Sequence, residues 1–151
     1  FTSHGPATAK DFAWWSGLAA ADVRAGLELS RSQLEMARVD GHVYWFGLDA
    51  RKVAMAAPIA HLLPAYDEFT IAYKDHTAIL DAGYRDLVVA AFGTVIVIDG
   101  QIVGAWKRVI EKDRVLLTLS PFRALTEAED QALSLAVQRY SAFLGKPVAL
   151  A

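Results

Sequence analysis

Apolar positions change their spacing several times along this chain, and each change predicts a different element. Phe12, Trp15 and Ala19 recur at helical intervals. Thr8, with Asp11 three residues later, supplies a T-x-x-D capping box at the start, and Gly17 can close the helix in a left-handed conformation. A second helix is expected over Ala20–Leu29, with Ala20, Val23 and Leu27 on its apolar face. The short connection around Gly17 is that of a helix-turn-helix. The period then drops to two: Leu34–Val39 and His42–Phe46 read as strands joined by Asp40-Gly41, the favoured type I′ hairpin pair. Helix, turn, helix and hairpin, in that order, make a winged helix (a helix-turn-helix plus a β-wing).

Beyond Trp45 the pattern loosens. Arg51 to Ile59 is Ala-rich and reads as a connector. Pro64 is expected to open a short helix carrying Tyr66, Phe69 and Tyr73 on one face, with Asp67 and Glu68 in its first turn where the helix dipole favours anions. Leu87 to Phe92 fits a helix or a strand equally well. Val95–Ile98 and Ile102–Trp106 are strands around a second Asp-Gly turn, and Arg114–Leu119 is a third. A long final helix begins at the Thr126/Glu129 capping box. It buries Leu133, Ala136, Val137, Tyr140 and Leu144, and stops at Gly145 and Pro147. The fold class is therefore α+β, with a winged-helix module over 1–47 and a β-rich body with a C-terminal helix over 48–151.

Composition narrows the function classes. At 151 residues the chain suits one ordinary domain or two small ones. Although 54% of residues are hydrophobic, no apolar run approaches the roughly 20 residues of a membrane span. The absence of cysteine excludes disulfides and Cys-based zinc sites, and makes the cytoplasm the expected compartment. The chain opens Phe1-Thr2-Ser3-His4, with no Met and no signal segment. The first helix expected of a winged-helix module is missing, so the sequence reads as a piece of a longer protein with that helix truncated. The net charge is −2, and up to Ala60 six Lys/Arg balance six Asp/Glu. Any contact with nucleic acid must then rest on local placement of cations rather than on a basic domain.

Arg24 and Arg31 fall on or just past the second helix, the element that commonly enters a major groove, and Lys10 opens the first. They are candidate phosphate contacts, or else solvated charges paired with Asp22, Glu28 or Glu35. Lys107 and Arg108 follow Trp106 at a strand end and are further candidates; alternation puts them on opposite faces. In the wing, Tyr44 and Phe46 share one face and Trp45 the other, as core or as a stacking surface. His61, Asp67, Glu68, Asp75 and His76 form the only polar concentration resembling an active site. Their spacing is not that of a metalloprotease helix. His61, Tyr66, Asp67, Glu68 and Tyr73 are read as shaping a site; no metal or organic cofactor is expected. No nucleophile elbow, P-loop or dinucleotide fingerprint is present.

Three runs carry a family resemblance. Thr2-Ser3-His4-Gly5-Pro6-Ala7-Thr8 followed by Asp11-Phe12-Ala13-Trp14-Trp15-Ser16-Gly17-Leu18 resembles the winged-helix DNA-binding family of bacterial AlkZ-type DNA glycosylases. So do His61-Leu62-Leu63-Pro64-Ala65-Tyr66-Asp67-Glu68-Phe69 with Tyr73-Lys74-Asp75, and the run from Val97 to Arg108. The resemblance implies a larger parent, in which tandem winged helices precede a barrel-like C-terminal body and excise bulky alkylated bases without a cofactor. Its catalytic Gln-apolar-Gln or Gln-apolar-Asp motif lies upstream of the matched region. Gln33-Leu34-Glu35 ends in Glu and sits on the wing, so no catalytic role is carried onto it. The expected partners are double-stranded DNA and the N-terminal winged-helix modules of the same polypeptide. A non-enzymatic DNA-binding regulator and a protein-interaction domain are the alternatives.

Overall fold

The computed structural model describes residues 1–49, 57–90 and 93–151. Most of the Arg51–Ile59 connector, and Phe92 at the end of the ambiguous apolar run, lie outside them. The chain divides into two compact units, Phe1–Ala54 with Glu68–His76 and Met55–Asp67 with Thr77–Ala151. Both helices and sheets are present, as an α+β pattern requires.

In the first unit, β1 (Ala7–Thr8) leads directly into α1 (Ala9–Ser16). Thr8 Oγ1 accepts the Asp11 amide, the Asp11 carboxylate accepts the Thr8 amide, and Gly17 ends the helix at φ 71°. Three residues later α2 (Ala20–Leu29) begins, burying Val23 and Leu27. A single 3₁₀ turn over Arg31–Gln33 feeds β2 (Leu34–Val39), which pairs with β3 (His42–Gly47). Asp40 and Gly41 both hold positive φ, as a type I′ turn demands. β1 adds to the other side of β3, giving the sheet order β1-β3-β2. This third strand was too short to be read from periodicity. Gly5 is fixed by close approach: a Cβ there would lie 2.3 Å from the Phe1 carbonyl oxygen and 2.8 Å from Phe46 Cα.

The expectation for Pro64 needs correction. The helix there, α3, covers only Glu68–Ile71. Tyr66 has φ 63° and is 85% exposed, so it sits in a left-handed turn before the helix, and Tyr73 lies beyond its end. A single residue in the left-handed region breaks the helical run that Pro64 was expected to start. The apolar run after Arg85 resolves as a helix, α4 (Arg85–Ala90).

The second unit is an open sheet in the order β4-β5-β6-β7-β8: β4 (Ala60–Leu63), β5 (Val95–Ile98), β6 (Gln101–Ile110), β7 (Val115–Pro121) and β8 (Val148–Leu150). All pairs are antiparallel except β7 with β8. Among the described residues no pairing closes this sheet into a barrel. α5 (Glu127–Leu144) lays Ala132, Leu133 and Ala136 on the face formed by Ala60, Ile96, Ile98, Val103, Trp106 and Leu117. Its Thr126/Glu129 capping box and Gly145 stop stand as expected. Two polar ties anchor the edge strand: the Trp106 indole N–H donates to Leu63 O at 2.8 Å and Arg139 donates to Ala60 O at 2.6 Å.

Candidate nucleic-acid interface

Register decides what the hairpin shows to its surroundings. Met36 pairs with Trp45 and Arg38 with Val43, so these four side chains share one face, while Ala37, Tyr44 and Phe46 share the other. Arg31, delivered by the turn after α2, lies over the Trp45 ring at 5.9 Å and stands 3.6 Å from the Glu28 carboxylate. Its charge is thus partly opposed by Glu28, one of the carboxylates foreseen as its partner, while the guanidinium keeps a stacking contact. Met36 is 55% exposed on the same face. Arg38 was not among the residues singled out from the sequence. Its signal was available: it is two positions from Met36 on an alternating strand, hence on the face of Trp45. Arg24 and Lys10 are exposed on α2 and α1, and no ion pair holds either among the described residues.

The segment Glu68–His76 is bound to α1. Asp11 is the buried charged residue of the described core, and both its oxygens are occupied. Oδ2 accepts the Thr8 amide at 2.9 Å and the Thr8 hydroxyl at 2.7 Å, and Oδ1 accepts the Lys74 amide at 3.0 Å. Nearby, the Trp14 indole N–H donates to Ile71 O, and the Tyr73 hydroxyl donates to His4 O. Burial, then the Asp11 and Glu68 charges, raise the Tyr73 phenol above its ordinary range, so it stays a donor. His4 faces Trp15 at 5.0 Å and Glu68 at 3.4 Å. His4, Asp11, Trp15 and Tyr73, with Phe1, Ala7, Phe12 and Ala72, line a small open cleft. With both oxygens already accepting, Asp11 acts as a tether between α1 and the Glu68–His76 segment.

The remaining candidates are divided between the two units. Glu68 and Tyr73 belong to the first unit, while His61, Tyr66 and Asp67 belong to the second. His61 is exposed on β4, opposite Val97 in register. His76 binds Thr70 O through its ring nitrogen at 2.7 Å. Among the described residues no three His, Asp or Glu side chains are grouped to hold a metal ion. Lys107 and Arg108 are both exposed. Arg108 lies over Trp106 at 6.0 Å and over Tyr140 at 5.8 Å, and it donates to the Tyr140 hydroxyl. Its guanidinium is therefore committed in part to closing the α5 face. Lys107, opposite Thr118 on the other face of β6, has no aromatic neighbour of this kind among the described residues.

A model of the family described as DNA glycosylase AlkZ-like matches residues 1–143. No curated protein matches the chain. Among solved structures, the Streptomyces sahachiroi DNA glycosylase AlkZ is similar, with a TM-score of 0.71 and 22% identity over 97% of this chain. That likeness is one of fold. The chain spans 42% of that protein's length. Among the described residues no helix is long and apolar enough to cross a membrane.

Proposed function

The chain belongs to the AlkZ-like DNA glycosylase family, and from that premise we propose that it is a DNA-engaging part of a base-excision protein. The observation that carries this reading is the hairpin face on which Arg31 stacks over Trp45 beside Arg38, with Arg24 exposed on the preceding helix. In this reading the two helices and hairpin of residues 1–47 are a winged helix, and residues 48–151, apart from the Glu68–His76 segment that groups with the first unit, are the barrel-like body that accompanies it. Lys10, Arg24, Arg31, Arg38 and Lys107 contact phosphates; Arg108 contributes less, since it already closes the Trp106–Tyr140 pair. Enzymes acting on a base must take it out of the stack, and a firm hold on the flanking duplex offsets the unstacking cost. The excising groups, in this proposal, lie outside these 151 residues, and the partners are double-stranded DNA and further winged-helix modules.

Binding to a labelled duplex at about 50 and about 200 mM salt tests the proposal. Affinity falls steeply with salt, and each phosphate contact removed by Arg24→Ala, Arg31→Ala, Arg38→Ala or Lys107→Ala lowers the log–log slope by about 1. Salt-independent binding, or none, refutes it. Release of an alkylated base by the chain alone refutes the placement of the chemistry elsewhere.

A further inference from the structure

One apolar surface of the first unit has no role in that account. Trp14 is 59% exposed, yet its indole N–H is donated to Ile71 O at 3.1 Å, so a large aromatic face is held still in solvent. Trp15, Leu18 and Ile71 around it are 52%, 48% and 45% exposed. An exposed tryptophan without this tie would simply rotate; one ordered in advance presents its ring at low entropic cost. Lys10 lies one helical turn before Trp14 on α1, where i and i+4 side chains are neighbours. Lys74 comes three residues after Ile71, with its amide fixed on Asp11 Oδ1. Both lysines are exposed, and neither forms an ion pair among the described residues. The acidic groups close by are engaged: Asp11 accepts three hydrogen bonds and Glu68 faces His4.

A fixed aromatic plane, with an exposed lysine on each of the two segments that position it, matches one ligand chemistry, an unstacked base whose flanking phosphates need counter-charges. We propose that Trp14 is a stacking platform for an unpaired nucleotide of a DNA strand, with Lys10 and Lys74 taking the adjacent phosphates. The platform rests on the DNA-engaging reading above but does not use the hairpin face.

Three labelled probes test it on the full chain: a paired duplex, the same duplex with a one-nucleotide bulge, and an oligothymidylate strand. Trp14→Ala is expected to weaken the bulged and single-stranded probes about ten-fold, within the range of base–aromatic stacking, and the paired duplex less than about two-fold. Trp14→Phe keeps a stacking ring and costs less than about three-fold. Lys10→Ala with Lys74→Ala lowers the salt slope by about 1 to 2 on the unpaired probes. Equal weakening on paired and unpaired probes overturns the platform, as does no weakening at all. Should Trp14→Ala melt early, the Phe variant and the lysine pair decide: unchanged salt slopes on the unpaired probes overturn the proposal. Wild-type binding to none of the three at low salt refutes the DNA-engaging reading as well. Loss of paired binding in Arg24→Ala and Arg31→Ala, with Trp14→Ala silent on the bulge, refutes the platform alone.

Discussion

Replacing Asp11 by Ala removes a buried acceptor that joins two stretches 63 residues apart. Three contacts vanish: the Thr8 amide at 2.9 Å, the Thr8 hydroxyl at 2.7 Å and the Lys74 amide at 3.0 Å. The cap is only half dismantled, because Thr8 Oγ1 still accepts the amide of residue 11 at 3.2 Å. The hydroxyl can turn to other partners, whereas the Lys74 amide has no substitute. One charge-assisted bond at about 1.5–3 kcal/mol, plus a stranded amide at about 1–3 kcal/mol, less the relief of no longer burying a charge, gives a net loss of about 3 kcal/mol. Thr8→Ala, which removes the other half of the box, should cost about 1 kcal/mol. The two share a hydrogen-bond network, so the double variant should lose at least about 0.5 kcal/mol less than the sum. Urea unfolding followed by tryptophan fluorescence reads this directly, since Trp14, Trp15 and Trp45 lie in the first unit and only Trp106 in the second. With m of about 1–2 kcal/mol/M, the first-unit midpoint falls by about 1.5–3 M in Asp11→Ala. A fall below about 0.5 M, or strict additivity with Thr8→Ala, would refute the tether.

Glu129 is drawn down to about 2, first by its hydrogen bond from Arg123 and then by the Thr126 amide. Its contribution is present above the ordinary carboxylate range and is lost as pH falls from about 4.5 toward about 2. Arg123→Ala should flatten that acid limb, by about 1 kcal/mol or less because the pair is at the surface, in thermal melts across the range; an unchanged limb contradicts the assignment. Gly104→Ala places a methyl 2.9 Å from Pro121 Cα and Ser120 O, backbone atoms of β7 that cannot turn aside. A loss of about 1–3 kcal/mol is expected, seen as a drop of several degrees in Tm, and an unchanged Tm would show that β6 and β7 separate freely.

Local signals carried most of what the sequence revealed. Both capping boxes, both Asp-Gly hairpin turns and the left-handed stops at Gly17 and Gly145 are short-range chemistry, complete within a few residues. β1, β4 and β8, of 2, 4 and 3 residues, are too short to show a period and exist because a distant strand pairs with them. Pro64 misled because Tyr66 takes a positive φ, which helix propensity gives no reason to expect of a tyrosine. The site was legible to a similar depth. Asp11 was visible as a cap but not as the acceptor for Lys74, and Trp14 as an aromatic but not as one fixed by Ile71. Register, once known, added Arg38 to the hairpin face, and the structure added the Trp106 and Tyr140 contacts that set Arg108 apart from Lys107.

The tether from Asp11 to Lys74 also sets an order of events on the ribosome. α1 is synthesised before its partner: the backbone amide that completes its buried carboxylate is 63 residues further on. At about 5–20 residues per second, the nascent helix waits about 3–13 seconds for that partner. Throughout the interval Asp11 must stay hydrated, and the aromatic face of α1 lies open to chaperones. The first unit therefore matures only after part of the second has been made.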